Sequence, residues 1–375
     1  MIPVYNELIF LLSLFYFLLM IYYACGWKRL ENCQAADEQP KIKISVIIPA
    51  RNEAINIANC INGLLQQDYP KELFEIIVID DCSTDNTAEI VKQFPTLRLV
   101  QLSINEYGNR PNKKEAISTG VSLATGELIA TTDADCLRGM AWMKTLASFY
   151  QQTGMKFISG PVVITPNGSL FSQFQSLEFA GLIGIGAAAI KQGSPNMCNG
   201  ANLAFEKQAF VKVGGYLDNE HLPSGDDEFL MHKFHSQFPG RVGFLKSKDA
   251  IVYTEPCHTL GEFFQQRRRW VSKSTHYSDK NITLVLSLCY LFNLSILINF
   301  VVAWFIPFQL KIALLQLLTK AIGEAFLLWQ VTRFFNLTQL RRWLLPEQLF
   351  HIMYVIIIGL WANMLPYSWK GRSSR

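Results

Sequence analysis

The segments ISVIIP (Ile44–Pro49), EIIVID (Glu75–Asp80) and ELIATT (Glu127–Thr132) decide the fold class of this chain. Each is a short apolar run bounded by polar residues, which is the pattern of a buried strand. Leu97–Leu102 has the same character. Helical spacing between these runs is found at Ile55–Gln66, Thr87–Phe94 and Asn112–Leu123. Strands that alternate with helices predict an α/β fold with a mostly parallel, doubly wound sheet.

The N-terminal region is strongly apolar. Half of the 375 residues are hydrophobic, and the mean hydropathy is +0.17. The run from Leu8 to Trp27 carries no charge and is long enough to span a bilayer. A secretory signal peptide is the alternative, but no basic residue precedes the run and no small-residue cleavage site follows it. We therefore predict a transmembrane anchor over residues 1–27 and, over residues 41–275, a globular domain that is long enough to bury a core.

The C-terminal region is predicted to hold transmembrane or interfacial helices over residues 281–367 and a basic tail over 368–375. Its apolar segments lie at 282–303, 305–330 and 346–366. The second contains Lys311, Lys320 and Glu324. Ionisable residues are costly against lipid, so this helix should pack against other helices, line a cavity or lie at the interface.

Charge predicts the orientation of the globular domain. Lys28 and Arg29 directly follow the first apolar run, and the positive-inside rule then places the domain in the cytoplasm, attached to the cell (inner) membrane. The basic residues of 333–342 and of the tail cannot both be inside with an odd number of full spans. A re-entrant or interfacial segment would resolve the conflict, and the sequence leaves the number of full spans open. The net charge of +4 suits an anionic membrane face and does not indicate a nucleic acid partner.

Polar residues follow the predicted strands where ligands of parallel sheets bind. They are Arg51–Glu53, the pair Asp80 and Asp81, and the pair Asp133 and Asp135. Carboxylates spaced two apart suit Mg²⁺ or Mn²⁺, which would neutralise a pyrophosphate leaving group. A solvated acidic turn is the alternative for each pair, and residues such as Ser83 also cap helices.

Two later motifs carry charge. GDDEF contains Asp226 and Asp227, which could form a helix N-terminus or supply a base for an acceptor hydroxyl. QRRRW at Gln266–Trp270 lies in a predicted interfacial helix over 259–275, where arginines face water. The same arginines could instead clamp a pyrophosphate.

Taken in order, these motifs resemble membrane-bound, inverting family 2 glycosyltransferases with a GT-A fold. The resemblance covers about Ile44 to Trp270 and is carried by SVIIPARNE, VIDDCSTDNT, NKKEAI, TTDADC, GDDEF and QRRRW. The glycine that usually precedes the lysine of the third motif is Asn112 in this chain. The cysteines form no C-x-x-C pair, so no zinc site is predicted.

The resemblance implies a role for each motif residue. Donor binding is implied for Pro49, Arg51, Glu53, Asp80, Asp81, Lys113, Asp133 and Gln266. Asp133 and Asp135 would bind Mg²⁺ or Mn²⁺. Asp227 would be the catalytic base, with Arg269 and Trp270 completing the catalytic set. Asn202 and Asp226 are expected near the acceptor.

The expected activity is transfer of a sugar from a nucleotide-sugar, first of all a UDP-sugar, to a lipid or lipid-linked glycan. A processive polysaccharide synthase is the alternative, and a non-catalytic, membrane-tethered nucleotide-binding protein is a remote one. A processive enzyme needs a channel, whereas this chain has only about four segments able to span, with few polar residues. This comparison favours a lipid acceptor.

Overall fold

The computed structural model describes residues 2–35, 40–104, 112–218, 225–273, 277, 279–361, 367–369 and 372–374. The chain forms two compact units. The sheet unit comprises residues 30–165 and 189–255, and the helical unit comprises 1–29, 166–188 and 256–375.

A mixed seven-stranded sheet forms the centre of the sheet unit, with the order β3-β2-β1-β4-β8-β6-β9. A small sheet has the order β5-β10-β7, and β11 pairs with β12 in the helical unit. The strands are β1 Ile44–Ala50, β2 Phe74–Asp80, β3 Arg98–Gln101, β4 Leu128–Thr131, β5 Leu137–Arg138, β6 Phe157–Ser159, β7 Val162–Ile164, β8 Leu203–Glu206, β9 Val242–Phe244, β10 Val252–Thr254, β11 Tyr367–Trp369 and β12 Arg372–Ser374.

The helices surround this sheet or build the helical unit. They are α1 Ile2–Arg29, α2 Ile57–Leu65, α3 Thr87–Lys92, α4 Lys113–Leu123, α5 Trp142–Thr153, α6 Leu170–Lys191, α7 Lys207–Lys212, α8 Asp226–Gln237, α9 Leu260–Val271, α10 Lys280–Val302, α11 Phe308–Phe334 and α12 Pro346–Trp361. Short 3₁₀ turns lie at Lys71–Leu73, Lys248–Ala250 and Thr338–Trp343.

The strand register explains where polar residues collect. β1 pairs with β2 in parallel, with Ala50 opposite Asp80, and β1 also pairs in parallel with β4. The side chains of β1 are almost all buried because both faces of this central strand are covered. The residues after β1, β2 and β4 therefore emerge at one edge. Within the described seven-stranded sheet, β8 runs antiparallel to its neighbours β4 and β6, and the other pairs are parallel. The predicted α/β fold with a mostly parallel sheet is confirmed.

Among the described residues, three helices of the helical unit are long and apolar enough to cross a membrane: Val4–Arg29, Lys280–Val302 and Phe308–Phe334. They occupy the positions of the predicted anchor and of the first two C-terminal segments, whose insertion in a membrane stays a prediction. The third predicted segment is a shorter apolar helix, α12, whose described part ends at Trp361. Parts of three predicted segments lie outside the described residues: 362–366 of the third apolar segment, 274–276 of the interfacial helix, and 370, 371 and 375 of the tail.

A buried polar cluster joins three helices of the helical unit. Lys320 on α11 is fully buried, and its Nζ donates to Glu324 Oε1 at 2.7 Å and to Gln348 Oε1 at 2.6 Å. The Tyr16 hydroxyl of α1 also donates to Glu324 Oε1. Of the alternatives open to the charged second segment, packing against other helices is therefore the one observed for Lys320 and Glu324. Lys311, one of the same three residues, is exposed.

Candidate active site

The loops after β1 and β2 are locked together by Arg51. Its buried guanidinium donates Nη1 to the carbonyl oxygens of Asp81, at 2.7 Å, and Cys82, at 3.1 Å. Asn52 and Cys82 have positive φ values of 52° and 53°, a conformation that costs free energy in residues with a Cβ. The contacts of Arg51 offset that cost. Arg51 is thus placed at the predicted edge, where its described contacts build the loop.

The predicted donor-binding acids are held at the same edge. Asp80 is buried, and its carboxylate accepts from the Ser83 N–H at 3.1 Å and from Gln101 Nε2 at 3.3 Å. Glu53 is also buried, and its N–H donates to Thr87 Oγ1 at 2.8 Å. The sequence did not single out Gln101. Its position follows only from the pairing of β2 with β3, which sets Gln101 opposite Asp80.

Two further predicted donor residues complete this edge. Pro49 is half-buried on β1, opposite Ile79 in the ladder. Asp81 is buried directly after β2, and its N–H donates to the Ala50 carbonyl oxygen at 2.8 Å. Both therefore lie with Glu53 and Asp80 at the carboxyl ends of the central strands.

Helix α4 begins at Lys113 because Asn112 caps it. The Asn112 side-chain oxygen accepts from the N–H groups of Lys114, at 2.9 Å, and Glu115, at 3.2 Å. Asparagine is a strong helix N-cap because this contact satisfies amides that have no partner within the helix. The cap gives a physical reason for the asparagine at a position where the family that this chain resembles usually has glycine. It also fixes the backbone from which the Lys113 side chain extends.

Lys113 connects two of the acidic motifs. Its Nζ lies 2.8 Å from Asp133 Oδ1 and 3.4 Å from Asp226 Oδ2. Burial alone would lower the pKa of Lys113, but the charges of Asp133 and Asp226 raise it well above its usual range. The ammonium group is therefore charged, and it joins the D-x-D turn to the start of α8. Asp226, predicted near the acceptor, is here the partner of the lysine.

The predicted base, Asp227, is oriented by the backbone. Its Oδ2 accepts the Gly200 N–H at 3.0 Å, and its Oδ1 accepts the Glu228 N–H at 2.9 Å. Gly200 was missed as a functional position although it lies in the NGAN segment of residues 199–202. A Cβ at Gly200 would lie 3.1 Å from Lys113 Nζ and 3.4 Å from Asp226 Oδ2. The glycine therefore lets three charged side chains approach one backbone segment.

The two carboxylates of the D-x-D pair suit a divalent ion. Oxygen atoms of Asp133 and Asp135 and the sulfur of Cys136 lie within 4.8 Å of one another. Asp135 is exposed and Asp133 half-exposed, so both can reach a ligand. Burial and then the charge of Asp135 raise the pKa of Cys136, and its thiol donates to Asp135 Oδ1 at 3.4 Å. The hard oxygen ligands that Mg²⁺ and Mn²⁺ prefer are thus supplied by the two aspartates.

Asn202 lies in the core of the sheet unit. Its side chain is fully buried and donates Nδ2 to the carbonyl oxygens of Pro161 and Ala250, both at 2.8 Å. Its Oδ1 accepts from Trp142 Nε1 at 3.0 Å. These contacts tie the residue before β8 to the residue before β7, to the 3₁₀ turn at Lys248–Ala250 and to α5. We therefore propose a structural role for Asn202 and no contact with the acceptor.

The QRRRW motif lies on α9 in the helical unit. Gln266, Arg269 and Trp270 are half-buried there, and the Trp270 ring packs on Phe179 with centroids 5.8 Å apart. Arg267 is the buried member, with a 2.5 Å ion pair to Glu178. The donor contacts implied for Gln266, Arg269 and Trp270 remain predictions.

Comparison with known proteins places this geometry in a family. Residues 45–214 match the model of glycosyl transferase family 2. The glycosyltransferase AglE of Haloferax volcanii is 33% identical over 231 residues, which are 60% of this chain and 71% of AglE. The chain belongs to glycosyl transferase family 2. The predicted enzyme class, a glycosyltransferase, is confirmed.

Two further similar proteins extend the comparison. The poly-β-1,6-N-acetyl-D-glucosamine synthase of Staphylococcus epidermidis is 27% identical over 232 residues, and the chain spans 53% of that relative. A solved structure, the mannosyltransferase PcManGT from Pyrobaculum calidifontis in complex with GDP-Man and Mn²⁺, superposes with a TM-score of 0.58 at 21% identity. The superposition covers 95% of this chain and 99% of PcManGT, and it supports the GT-A fold.

Proposed function

We propose that this family 2 enzyme transfers a sugar, with inversion, from a nucleotide-sugar to a lipid or lipid-linked glycan. One observation carries the proposal: Lys113 contacts both the D-x-D residue Asp133 and the Asp226 of GDDEF. Residues 113, 133 and 226 are distant in sequence, and each motif alone has a common structural explanation. Their convergence at the carboxyl ends of parallel strands, where such folds bind ligands, favours one donor site.

On the donor side, the nucleoside would bind at the carboxyl ends of β1 and β2. The residues proposed to contact it are Pro49, Arg51, Glu53, Asp80 and Asp81. Asp133 and Asp135 would hold Mg²⁺ or Mn²⁺, which neutralises the charge of the diphosphate when bound. Lys113 adds a second positive charge for the same group. The PcManGT structure is a complex with GDP-Man and Mn²⁺, which supports a nucleotide-sugar and a divalent ion here. A UDP-sugar is the donor we expect.

On the acceptor side, Asp227 is the proposed base. It takes the proton of the acceptor hydroxyl while that oxygen bonds to the anomeric carbon from the face opposite the diphosphate. The bond from the anomeric carbon to the diphosphate oxygen breaks, and the nucleoside diphosphate leaves with the electron pair. A single displacement of this kind inverts the configuration. Gln266, Arg269 and Trp270 are proposed to act on the diphosphate and acceptor, where arginine stabilises developing charge.

The apolar helices support an enzyme of the membrane. Val4–Arg29 ends with Lys28 and Arg29, which favours a cytoplasmic sheet unit by the positive-inside rule. We propose the cell (inner) membrane as its location. The similarity to a poly-β-1,6-N-acetyl-D-glucosamine synthase keeps processive synthesis as a second candidate. The buried contacts of Lys320 with Glu324 and Gln348 favour packed helices over a polar channel, and thus a single transfer.

The test uses membranes that contain the full-length protein. They are incubated with labelled UDP- and GDP-sugars and Mg²⁺ or Mn²⁺, and lipid-extractable product is separated from polymer. We expect lipid-extractable product from a UDP-sugar, abolished by a chelator and restored by the metal. Asp227→Asn should lower the rate by about 10²–10⁴-fold, the usual contribution of a positioned base.

Asp249→Asn is the matched control, because Asp249 is an exposed aspartate of the same unit. Its transfer rate should equal that of the unaltered enzyme. Polymeric product would favour the processive alternative. Transfer that resists a chelator would show that no divalent ion is needed. Undiminished transfer by Asp227→Asn would show that Asp227 is not the base, and absence of transfer with every donor would overturn the proposed function.

A further inference from the structure

Arg267, the second residue of QRRRW, contacts two other residues of the motif, Gln266 and Trp270. Its Nη1 donates to Gln266 Oε1 at 2.5 Å. Its guanidinium carbon lies 4.2 Å from the Trp270 ring centroid. A planar guanidinium stacks on aromatic rings and donates in its own plane at the same time. Arg267 can therefore orient an amide and an indole together.

Arg267 is itself held by a buried carboxylate. Glu178 on α6 accepts from Arg267 Nη2 through Oε2 at 2.5 Å, and the side chains of the pair are only 3% and 2% exposed. The other oxygen, Oε1, accepts from the Tyr354 hydroxyl of α12 at 2.7 Å. Both carboxylate oxygens are thus occupied by donors from different helices.

The packing around this pair leaves Arg267 little freedom. Phe263, one turn before it on α9, is fully buried, and its ring centroid lies 4.5 Å from the Arg267 guanidinium carbon. Phe263 also packs edge-on against Tyr354, with centroids 5.5 Å apart. The Trp270 ring also packs against Phe179, the residue after Glu178. Positions 263, 267 and 270 share one face of α9 because they are spaced by four and three residues.

We propose that Glu178 and Arg267 are a positioning pair that sets the orientation of Gln266 and Trp270 for sugar transfer. The inference rests on the proposed function for the role of those two residues. A buried ion pair is seldom the most stable solution, since well-packed apolar residues often equal or exceed it in stability. What apolar residues cannot supply is the directed contact from the guanidinium to the Gln266 amide.

The experiment compares full-length variants. Glu178→Gln keeps the size of the side chain and removes its charge, and Tyr354→Phe removes only the hydroxyl. We expect kcat/KM to fall by about tenfold to a hundredfold in Glu178→Gln, the range for a misplaced functional group, with a smaller fall in Tyr354→Phe. Glu262→Gln is the control on the same helix. Glu262 is exposed in the capping box of α9.

A second readout follows Trp270 directly. The protein is labelled with 5-fluorotryptophan, its ¹⁹F spectrum is recorded, and the Trp270 signal is assigned with Trp270→Phe. Glu178→Gln should shift or broaden that signal, whereas Glu262→Gln should leave it in place. The Glu178 carboxylate contacts Arg267 and Tyr354, and Arg267 lies over the Trp270 ring, so we expect the change at Trp270 to be transmitted through the arginine. An unchanged Trp270 signal in Glu178→Gln would overturn the proposal.

An apolar double variant separates positioning from stability. Glu178→Leu combined with Arg267→Met should recover the thermal stability lost in Glu178→Gln, while kcat/KM stays low. Full recovery of kcat/KM would show that the pair only stabilises the fold. If the unaltered enzyme transfers no sugar to any acceptor, the proposed function fails, but the ¹⁹F signal of Glu178→Gln still decides whether the pair positions Trp270.

Discussion

The backbone N–H of Gly200 donates to Asp227 Oδ2 over 3.0 Å. This contact fixes the carboxylate that we propose as the base, and the same glycine lies against Lys113 and Asp226. A base must be held within hydrogen-bonding reach of its proton. The loop before β8 is therefore part of the proposed site although it carries no reactive side chain.

Gly200→Ala should lower kcat/KM with little change in stability. Its Cβ would approach Lys113 Nζ to 3.1 Å and Asp226 Oδ2 to 3.4 Å, so the lysine must move by a few tenths of an ångström. We expect about a tenfold loss, which corresponds to about 1.4 kcal/mol. Steady-state kinetics and thermal unfolding measure the two effects. Gly63→Ala is the control, since a Cβ there meets nothing within 4 Å, and it should leave kcat/KM unchanged.

Lys113→Met should separate metal binding from diphosphate binding. The lysine contacts the Asp133 carboxylate, which would also hold the ion, and its charge opposes a cation. Mn²⁺ should therefore bind more tightly to the variant, as measured by electron paramagnetic resonance titration. Nucleoside diphosphate should bind about tenfold more weakly or worse, because a charged hydrogen bond contributes about 1.5–3 kcal/mol.

The control for this variant is Lys92→Met, which removes an equal charge from an exposed ion pair with Glu89. Both affinities should match those of the unaltered protein. If Lys113→Met binds Mn²⁺ no more tightly than the control does, the lysine and the ion do not compete for Asp133.

Glu324→Gln should destabilise the helical unit. The change leaves the fully buried Lys320 ammonium without its anionic partner, and loss of one member of a buried pair costs about 3–5 kcal/mol. Thermal unfolding in detergent measures the loss. Lys311→Met on the same helix changes an exposed lysine and should have a small effect. Equal effects of the two variants would contradict a structural role for the buried cluster.

Asn202→Ala should reduce stability and leave acceptor binding unchanged in the folded fraction. It removes three hydrogen bonds and leaves buried groups such as Trp142 Nε1 without that partner. Each buried group left unsatisfied costs about 1–3 kcal/mol. Unfolding and the acceptor KM are measured together, with exposed Asn62→Ala as control. A raised KM at unchanged stability would restore Asn202 as an acceptor contact.

Much of the architecture was predictable because its signals are local. The apolar runs that became β1, β2 and β4 are continuous in sequence, and central parallel strands need such runs. The uncharged stretches that became α1 and α10 are long and apolar enough to cross a bilayer, and both properties can be read from the sequence. The D-x-D turn and GDDEF followed from residue type and from the strand or helix beside each.

Other contacts could not be predicted, since they join residues far apart in the chain. Nothing near Asp226 in sequence shows that its partner is Lys113, and nothing near Arg267 indicates Glu178, 89 residues away. Asn202 illustrates the same limit. The family resemblance implied a position near the acceptor, whereas its fully buried side chain has three protein partners.

The sequence by itself determined the α/β fold, the apolar helices and the order of the motifs, because periodicity and composition act over short stretches of chain. Only the tertiary structure decided which charges meet: Lys113 with Asp133 and Asp226, Gly200 with Asp227, and Arg267 with Glu178. The physical reason is that a buried charge must find an opposite charge or a hydrogen bond. Packing of the whole chain, rather than local sequence, determines which partner is within reach.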